Sequence, residues 1–143
     1  MDYPRILTIQ DISCVGQCSL TVALPILSVC GLETCVLPSA VLSTHTAFSG
    51  FTFRDLTDDM PGIAAAWHRA GITFNAFYTG YLGSARQIEL VQDIMRTAGV
   101  PGAKKIIDPA MADDGKLYAG FDAAFVEHMK RLCACADVLL PNL

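Results

Sequence analysis

The amino-acid sequence predicts an α/β protein, built on a mostly parallel β-sheet with helices on both faces. Short β-rich runs alternate along the chain with segments whose apolar residues recur at helical spacing. Such alternation is typical of crossover connections, which place strands parallel and cover the sheet on both sides. The length of 143 residues fits one domain, and 52% hydrophobic against 17% charged residues allows a large core.

The first half of the chain contains two predicted strands and one predicted helix. Residues 5–10 (RILTIQ) form the first strand and residues 34–37 the second. Between them, residues 16–31 carry apolar side chains at helical spacing. Pro25 lies inside that segment, so we expect a kink or a late helix start. Residues 39–53 carry no charge and are rich in Ser, Thr, Gly and Phe; they can hold a strand, but their tail resembles a loop or flap.

The second half continues the alternation. Its predicted helices begin at capping residues, namely Asp58 or Asp59 followed by Pro61, Ser84 in a capping-box pattern, and Asp122. Gly71 and Gly99 end the first two helices, and the third runs to about residue 136. The predicted strands are residues 74–79, 105–108 and 137–140.

Composition excludes several classes of function. The net charge is −4 and there is no basic run, so the sequence lacks the electrostatic footprint of nucleic-acid binding. Residues 12–32 carry no charge, but polar residues, Gly and Pro interrupt them, and no apolar run reaches membrane-spanning length. The start of the chain lacks a secretory pattern, so we expect a cytoplasmic protein whose six cysteines are buried free thiols without metal-ligand spacing.

Polar and aromatic residues follow the predicted strands at four places. Because ligands bind at the carboxyl ends of parallel strands, these residues are expected to line one cleft that takes a small molecule. They are Asp11 and Ser13 after the first strand, His45 and Thr46 in the segment after the second, Tyr81 after the strand at 74–79, and Asp108 with Asp113 after the strand at 105–108.

Each of these residues also has an ordinary structural interpretation. Asp11 and Ser13 can cap the following helix, His45 can be a loop residue, and residues 113–115 can form a solvated turn. Standard nucleotide motifs do not decide the matter. The sequence contains neither G-x-x-x-x-G-K-[ST] nor G-x-G-x-x-G. Because the second motif is the glycine fingerprint of dinucleotide binding, its absence speaks against a Rossmann-type oxidoreductase, which stays a distant alternative.

Six segments in chain order carry the most specific signal: RILTIQ (5–10), GQCSLTVALPIL (16–27), STHT (43–46), YTGYLGS (78–84), DPAMADDG (108–115) and PNL (141–143). Together they resemble the pyridoxal kinases of the ribokinase-like superfamily, in the form seen in bacterial pyridoxal and pyridoxamine kinases. DPAMADDG is similar to that family's Asp-Pro-Val-Met-Gly-Asp motif, and PNL to the start of its Pro-Asn-x-x-Glu motif. The resemblance covers essentially the whole chain and implies a ribokinase-like fold.

The resemblance also implies an activity and roles for the cleft residues. Members of the family phosphorylate the 5′-hydroxymethyl group of pyridoxal, pyridoxamine or pyridoxine with ATP and Mg²⁺. By position, Asp11 matches a ring contact that is usually Ser in the family, with Ser13 beside it. Thr46, next to His45, matches a substrate contact, and Tyr81 matches an aromatic wall of the substrate site. Asp108 and Asp113 match acidic residues near the ATP phosphates and the metal, which they can hold directly or through water.

The sequence departs from the family at two points. Ala112 stands where the family has Gly before the second acidic residue. The Gly-Thr-Gly-Asp segment, which supplies the family's anion hole and catalytic base, does not occur in the 143 residues. We therefore expect residues 1–143 to be the truncated, N-terminal, substrate-binding part of one ribokinase-like kinase domain, inactive alone and homodimeric when complete.

Two further interpretations stay open. The first is a kinase of the same superfamily that acts on hydroxymethylpyrimidine or a sugar. The second is a non-catalytic module that binds pyridoxal or a nucleotide without turnover. A substrate panel separates the first from a pyridoxal kinase, and binding without reaction favours the second.

Overall fold

The computed structural model describes residues 3–142, which form one six-stranded sheet, a small hairpin and four helices. The strands are β1 (Arg5–Ser13), β2 (Glu33–Leu42), β3 (Phe53–Asp55), β4 (Phe74–Thr79), β5 (Gly99–Ile107), the hairpin strands β6 (Ala112–Asp113) and β7 (Lys116–Leu117), and β8 (Val138–Leu139). The helices are α1 (Leu20–Val29), α2 (Met60–Arg69), α3 (Ala85–Ala98) and α4 (Ala123–Cys133).

The sheet has the order β3-β2-β1-β4-β5-β8, and all neighbouring strands are parallel except β2 and β3. The predicted α/β fold is confirmed. From β1 the chain moves one way to β2 and later returns past β1 to β4, β5 and β8. With right-handed crossovers, this reversal places α1 on one face and the later helices on the other.

The main core lies between the sheet and helices α2, α3 and α4. Alternation along β1 directs Leu7 and Ile9 to this face, where both are fully buried. Phe77 of β4 joins them, and its ring packs edge-on against Phe74 at 5.8 Å between centroids. Helix α1 covers β1 and β2 on the other face and buries only Leu20 and Ala23.

Several strands are longer than the sequence predicted. Strand β1 continues to Ser13 and β2 to Leu42, because the two pair with each other over their whole length. Strand β5 begins at Gly99, which we expected only to stop a helix, and pairs with β4. Tertiary pairing thus overrides the low strand propensity of Asp, Ser, Gly and Pro.

The helices agree more closely with their sequence signals. Helix α1 starts late, at Leu20, and carries Pro25 inside it. Ser84 and Asp122 cap α3 and α4 through their side chains, whereas Asp59 at the start of α2 makes no side-chain cap bond. Helix α4 ends at Cys133, three residues before the expected end.

The cysteines of the chain are free thiols, but burial differs from the expectation. Cys14 and Cys30 are exposed and the other four are partly buried, so the prediction of six buried thiols is wrong. Cys14 lies in the loop after β1, and Cys30 ends α1, where the chain turns at the surface. Within residues 3–142, no helix is long and apolar enough to cross a membrane.

Candidate functional site

Asp11 and Ser13 lie inside the last part of β1, not after it as the sequence suggested. Both are buried and, two residues apart, they share the face of β1 that carries Leu7 and Ile9. The Ser13 hydroxyl donates to Asp11 Oδ2 at 3.0 Å. The residue at the start of α1 is Ser19, so neither Asp11 nor Ser13 caps that helix.

A β-bulge shapes the sheet beside Asp11. Gln10 pairs with Pro38 and Ile12 with Val41, so two residues of β2, Ser39 and Ala40, stand opposite the single residue Asp11. Bulges bend a strand and re-aim nearby side chains, and they are common next to functional sites. The bulge therefore marks the carboxyl end of β1 as a place where the regular sheet gives way to a site.

His45 and Thr46 lie in the loop between β2 and β3, which includes the expected flap. Thr46 is exposed, and the large apolar side chains of Phe48 and Phe51 are exposed as well. His45 is partly buried; its backbone N–H donates to Val15 O at 3.2 Å, and its ring meets Phe48 edge-on at 4.8 Å. His45 thus holds this loop against the loop that follows β1.

Tyr81 follows β4 and is half-buried. Its ring stacks on that of Phe121, with centroids 5.8 Å apart and planes 22° apart. Burial raises the pKa of the Tyr81 phenol, and the nearby carboxylates of Asp11 and Asp55 raise this pKa further. The structure therefore brings Tyr81 together with Asp11, as the strand-end argument predicted, and adds Asp55 of β3.

Asp108 directly follows β5 and lies partly buried at the same edge. Its backbone N–H donates to Thr79 O at 3.2 Å, which ties it to the end of β4. Burial raises the pKa of the Asp108 carboxyl, and Asp108 in turn adds to the effect of burial in raising the pKa of Tyr78. Among residues 3–142, no Lys or Arg forms an ion pair with Asp108.

Asp113 lies in a hairpin that the sequence analysis did not predict. Asp114 and Gly115 form its turn with φ of 47° and 71°, so the turn interpretation applies to them, while Asp113 is an exposed residue of β6. Burial raises the pKa of Tyr118, and Asp113 and then Asp108 raise it further. The backbone N–H of Tyr118 donates to the carbonyl of Met111 at 2.9 Å, which holds Tyr118 against the segment that joins Asp108 to Asp113.

The last described residues contact the hairpin that carries Asp113. Asn142 Nδ2 donates to the carbonyl of Ala112, the residue before Asp113, at 3.2 Å. The PNL segment is described as far as Asn142; Leu143 lies outside the described residues. Ala112, which replaces the expected Gly, has ordinary strand conformation and does not distort the hairpin.

The Asp108 and Asp113 carboxylates fit a magnesium ion better than a protein-only metal cage. No group of three or more His, Cys, Asp or Glu side chains gathers into a metal-binding cluster in the part of the chain that the structure describes. Mg²⁺ in nucleotide sites needs only one or two carboxylates, since waters and phosphate oxygens complete its shell. Burial raises the pKa of the Asp108 carboxyl, and a bound cation would favour its charged form.

Four residues of the site were missed from the sequence: Asp55, Gln87, Tyr118 and Phe121. Asp55 belongs to the edge strand β3, which begins at the last residue of the segment interpreted as a loop or flap, and Gln87 was assigned only to a capping box. Tyr118 and Phe121 follow an unpredicted hairpin. The sequence signal that could have found Tyr118 and Phe121 is the spacing of the aromatic residues Tyr118, Phe121 and Phe125. In the structure the Phe121 ring stacks on that of Phe125, with centroids 3.8 Å apart, and also on that of Tyr81.

Comparison with known proteins finds sequences and structures similar to this chain among pyridoxal kinases. No family model matches the sequence. The pyridoxal kinase of Arabidopsis thaliana is 26% identical over 149 residues, which are 99% of this chain and 47% of that protein. The chain thus spans about half the length of the curated relatives it matches.

Solved structures agree over the same span. A "putative phosphomethylpyrimidine kinase" from Bacteroides thetaiotaomicron is 46% identical with a TM-score of 0.96, covering 100% of this chain and 50% of that one. A second crystal form of that protein was determined with pyridoxal. The pyridoxal kinase of Lactobacillus plantarum is 35% identical with a TM-score of 0.91, covering 97% of this chain and 50% of that one. The chain therefore belongs to the pyridoxal kinase family of ribokinase-like proteins, of whose members it spans about half the length.

Proposed function

We propose that this chain is the substrate-binding part, residues 1–143, of a kinase that transfers the γ-phosphoryl group of ATP to the 5′-hydroxymethyl group of pyridoxal, pyridoxamine or pyridoxine. The observation that carries the proposal is that Tyr81 and Asp11 are linked at the carboxyl edge of the sheet through Ser39, which stands opposite Asp11 in the bulge and whose hydroxyl donates to the Tyr81 carbonyl at 2.8 Å. An aromatic ring next to a buried, hydrogen-bonded carboxylate suits a flat pyridine ring with polar edges. The reaction yields pyridoxal 5′-phosphate or a related vitamer, and we place it in the cytoplasm.

In this proposal, the residues at one end of the cleft bind the substrate and those at the other end bind the phosphates of ATP and the metal ion. At the substrate end, Tyr81 stacks on the pyridine ring while Asp11 and Ser13 hydrogen-bond its polar substituents. Thr46, with His45 beside it, closes over the bound ring from the loop between β2 and β3. The loop is suited to this because it exposes the apolar side chains of Phe48 and Phe51, which can exclude water from the reacting group.

At the phosphate end, Asp108 and Asp113 hold Mg²⁺, directly or through water. The ion neutralises charge on the phosphates of ATP, which is the principal requirement of phosphoryl transfer. In the complete kinase we expect a homodimer, with the catalytic base supplied by a segment that the 143 residues do not contain.

A binding measurement tests the substrate end. Pyridoxine is the suitable probe because it has no aldehyde that could form Schiff bases with lysines. Calorimetric titration should show binding to the wild-type chain and at least a tenfold weaker affinity for Tyr81→Ala and Asp11→Ala, about 1.4 kcal/mol each. Asp93→Ala, on the exposed side of α3, serves as the control and should bind normally. Absence of wild-type binding, or normal binding by Tyr81→Ala, overturns the proposal.

A second candidate function is phosphorylation of a hydroxymethylpyrimidine. The observation in its favour is that the 46% identical Bacteroides protein is named a kinase of phosphomethylpyrimidine, a related pyrimidine. Competition between pyridoxine and 4-amino-5-hydroxymethyl-2-methylpyrimidine for the same site decides between the two. Tighter binding of the pyrimidine selects this alternative over a vitamin B6 kinase.

A further inference from the structure

Gln87 of α3 lies at the centre of a buried hydrogen-bond network. Its side chain is 1% exposed, and its carboxamide uses both ends. Oε1 accepts from the backbone N–H of Gly83 at 2.7 Å, while Nε2 donates to Ser39 O and to Thr57 Oγ1, each at 2.9 Å. One side chain thus connects the loop after β4, the bulge of β2 and the segment after β3.

Each of these partners lies next to a residue of the candidate site. Ser39 stands opposite Asp11 in the bulge, and its hydroxyl donates to the carbonyl of Tyr81 at 2.8 Å. Thr57 donates its backbone N–H to Asp55 Oδ1 at 2.6 Å. The network therefore joins the three segments that carry Tyr81, Asp11 and Asp55.

We propose that Gln87 is a positioning residue that fixes the loop of Tyr81 against β2 and so sets the placement of the aromatic ring relative to Asp11. The inference rests on the proposed function, in which this ring and this carboxylate are two sides of the pyridine site. A buried polar network whose members are all satisfied is rigid, because any displacement leaves a desolvated donor or acceptor without a partner. Binding groups must be held within about 0.5 Å of the productive geometry, and supporting residues provide that precision.

Gln87→Met tests the proposal, because Met preserves the length of the side chain and removes all three carboxamide hydrogen bonds. We expect a pyridoxine affinity about tenfold below that of the wild type, measured well below the unfolding temperature. Gln92→Met, at a partly buried glutamine of the same helix, is the matched control and should bind normally. If Gln87→Met destabilises the chain too far, Ser39→Ala removes only the hydroxyl that holds the Tyr81 carbonyl and should also weaken binding.

A double-mutant cycle separates positioning from a general loss of stability. In the Tyr81→Ala background, Gln87→Met should cause no further loss of pyridoxine affinity, because the ring that Gln87 positions is gone. A full tenfold loss that persists in this background shows that Gln87 acts on the fold alone and overturns the proposal.

A ligand-independent measurement distinguishes failure of this inference from failure of the proposed function. With tyrosine labelled for NMR, Gln87→Met should shift the ring resonances of Tyr81, because its packing on Phe121 changes. Those of Tyr78, in the middle of the sheet, should stay in place. Unchanged Tyr81 resonances overturn the inference even if pyridoxine binds. Shifted resonances in a chain that binds no pyridoxine uphold the role of Gln87 and reject the vitamin as substrate.

Discussion

Gly16 allows two loops of the candidate site to pack in contact. Its φ is 112°, a backbone conformation that residues with a side chain rarely adopt. A Cβ at this position would overlap Cδ2 of the His45 ring. Together with the hydrogen bond from His45 to Val15, this close approach holds the loop between β2 and β3 against the end of β1.

We expect Gly16→Ala to lower the free energy of unfolding by about 2 to 4 kcal/mol, from backbone strain and overpacking combined. Gly31 is the matched control, since its φ is 80° but open space surrounds it. Gly31→Ala should therefore cost only the strain, about 1 to 2 kcal/mol. Urea denaturation measures both. The contact with His45 would be contradicted if Gly16→Ala and Gly31→Ala lowered the free energy of unfolding equally. It would also be contradicted if Gly16→Ala remained the more destabilising of the two in a His45→Ala background.

Asp108 gives a second prediction at the residue scale, concerning pH. Because burial raises the pKa of this carboxyl, the folded state disfavours its charge. The resulting loss of stability is present above the raised pKa and disappears as the pH falls below the ordinary value of 3.8. Asp108→Asn should therefore stabilise the chain at pH 7 by about 0.5 to 1 kcal/mol, a partial effect since the group is only half-buried.

Urea denaturation at pH 7 and near pH 4 checks this prediction, and the gain should shrink at the lower pH. Asp58→Asn, at an exposed carboxylate, should change nothing. Addition of Mg²⁺ should stabilise the wild type more than Asp108→Asn, because an ion that binds the folded state shifts the equilibrium toward it. A less stable Asp108→Asn at pH 7 would mean that the carboxylate has a compensating partner.

At the scale of elements, helix starts were predictable because their signals are local. Ser84 accepts from Gln87 N at 3.2 Å and Asp122 from Phe125 N at 2.9 Å, as the sequence indicated. The bulge at Asp11 and the antiparallel strand β3 were not predictable, because both depend on pairing with β2, and β3 has only three residues. The hairpin of β6 and β7 was missed because each strand has only two residues.

The caps give an element-scale prediction with an internal control. Ser84→Ala and Asp122→Ala each remove one cap bond and should lower the free energy of unfolding by about 1 kcal/mol. Asp59 occupies the same position in α2 but makes no side-chain bond, so Asp59→Ala should cost less than half as much. Thermal and urea unfolding of the three variants measure the difference. If the three variants lost the same free energy of unfolding, the assignment of the side-chain caps would be contradicted.

At the scale of the whole molecule, the alternation of strands and helices predicted the fold, and it also placed the candidate site at the carboxyl ends of the strands. Which residues face one another did not, because the decisive contacts join distant parts of the chain. Gln87 bonds Ser39 across 48 positions, and Tyr81 meets Phe121 of a later connection. The roles of Asp108 and Asp113 came only from the family resemblance, since neither residue is distinctive by composition or spacing.

The whole molecule also carries the last prediction, that the 143-residue chain binds pyridoxine without phosphorylating it. Phosphoryl transfer to an alcohol needs a base near the hydroxyl and donors around the transferring group. The resemblance assigns both to a Gly-Thr-Gly-Asp segment, which the 143 residues lack. The carboxylates at the sheet edge are already engaged, Asp11 with Ser13 and Asp55 with Thr57, while Asp108 and Asp113 belong to the proposed phosphate end, where both raise the pKa of Tyr118.

Chromatography of the reaction with MgATP and pyridoxine checks this prediction by looking for the 5′-phosphate. Calorimetry on the same preparation confirms that the substrate is bound, so that an absent product reflects missing chemistry and not missing affinity. Product formed by the wild-type chain, and lost in Asp11→Ala at a pyridoxine concentration that calorimetry shows to saturate this variant, would show that the Asp11 carboxylate acts as the base. Bound pyridoxine with no product assigns this chain the recognition of the substrate and leaves the chemical step to residues outside it.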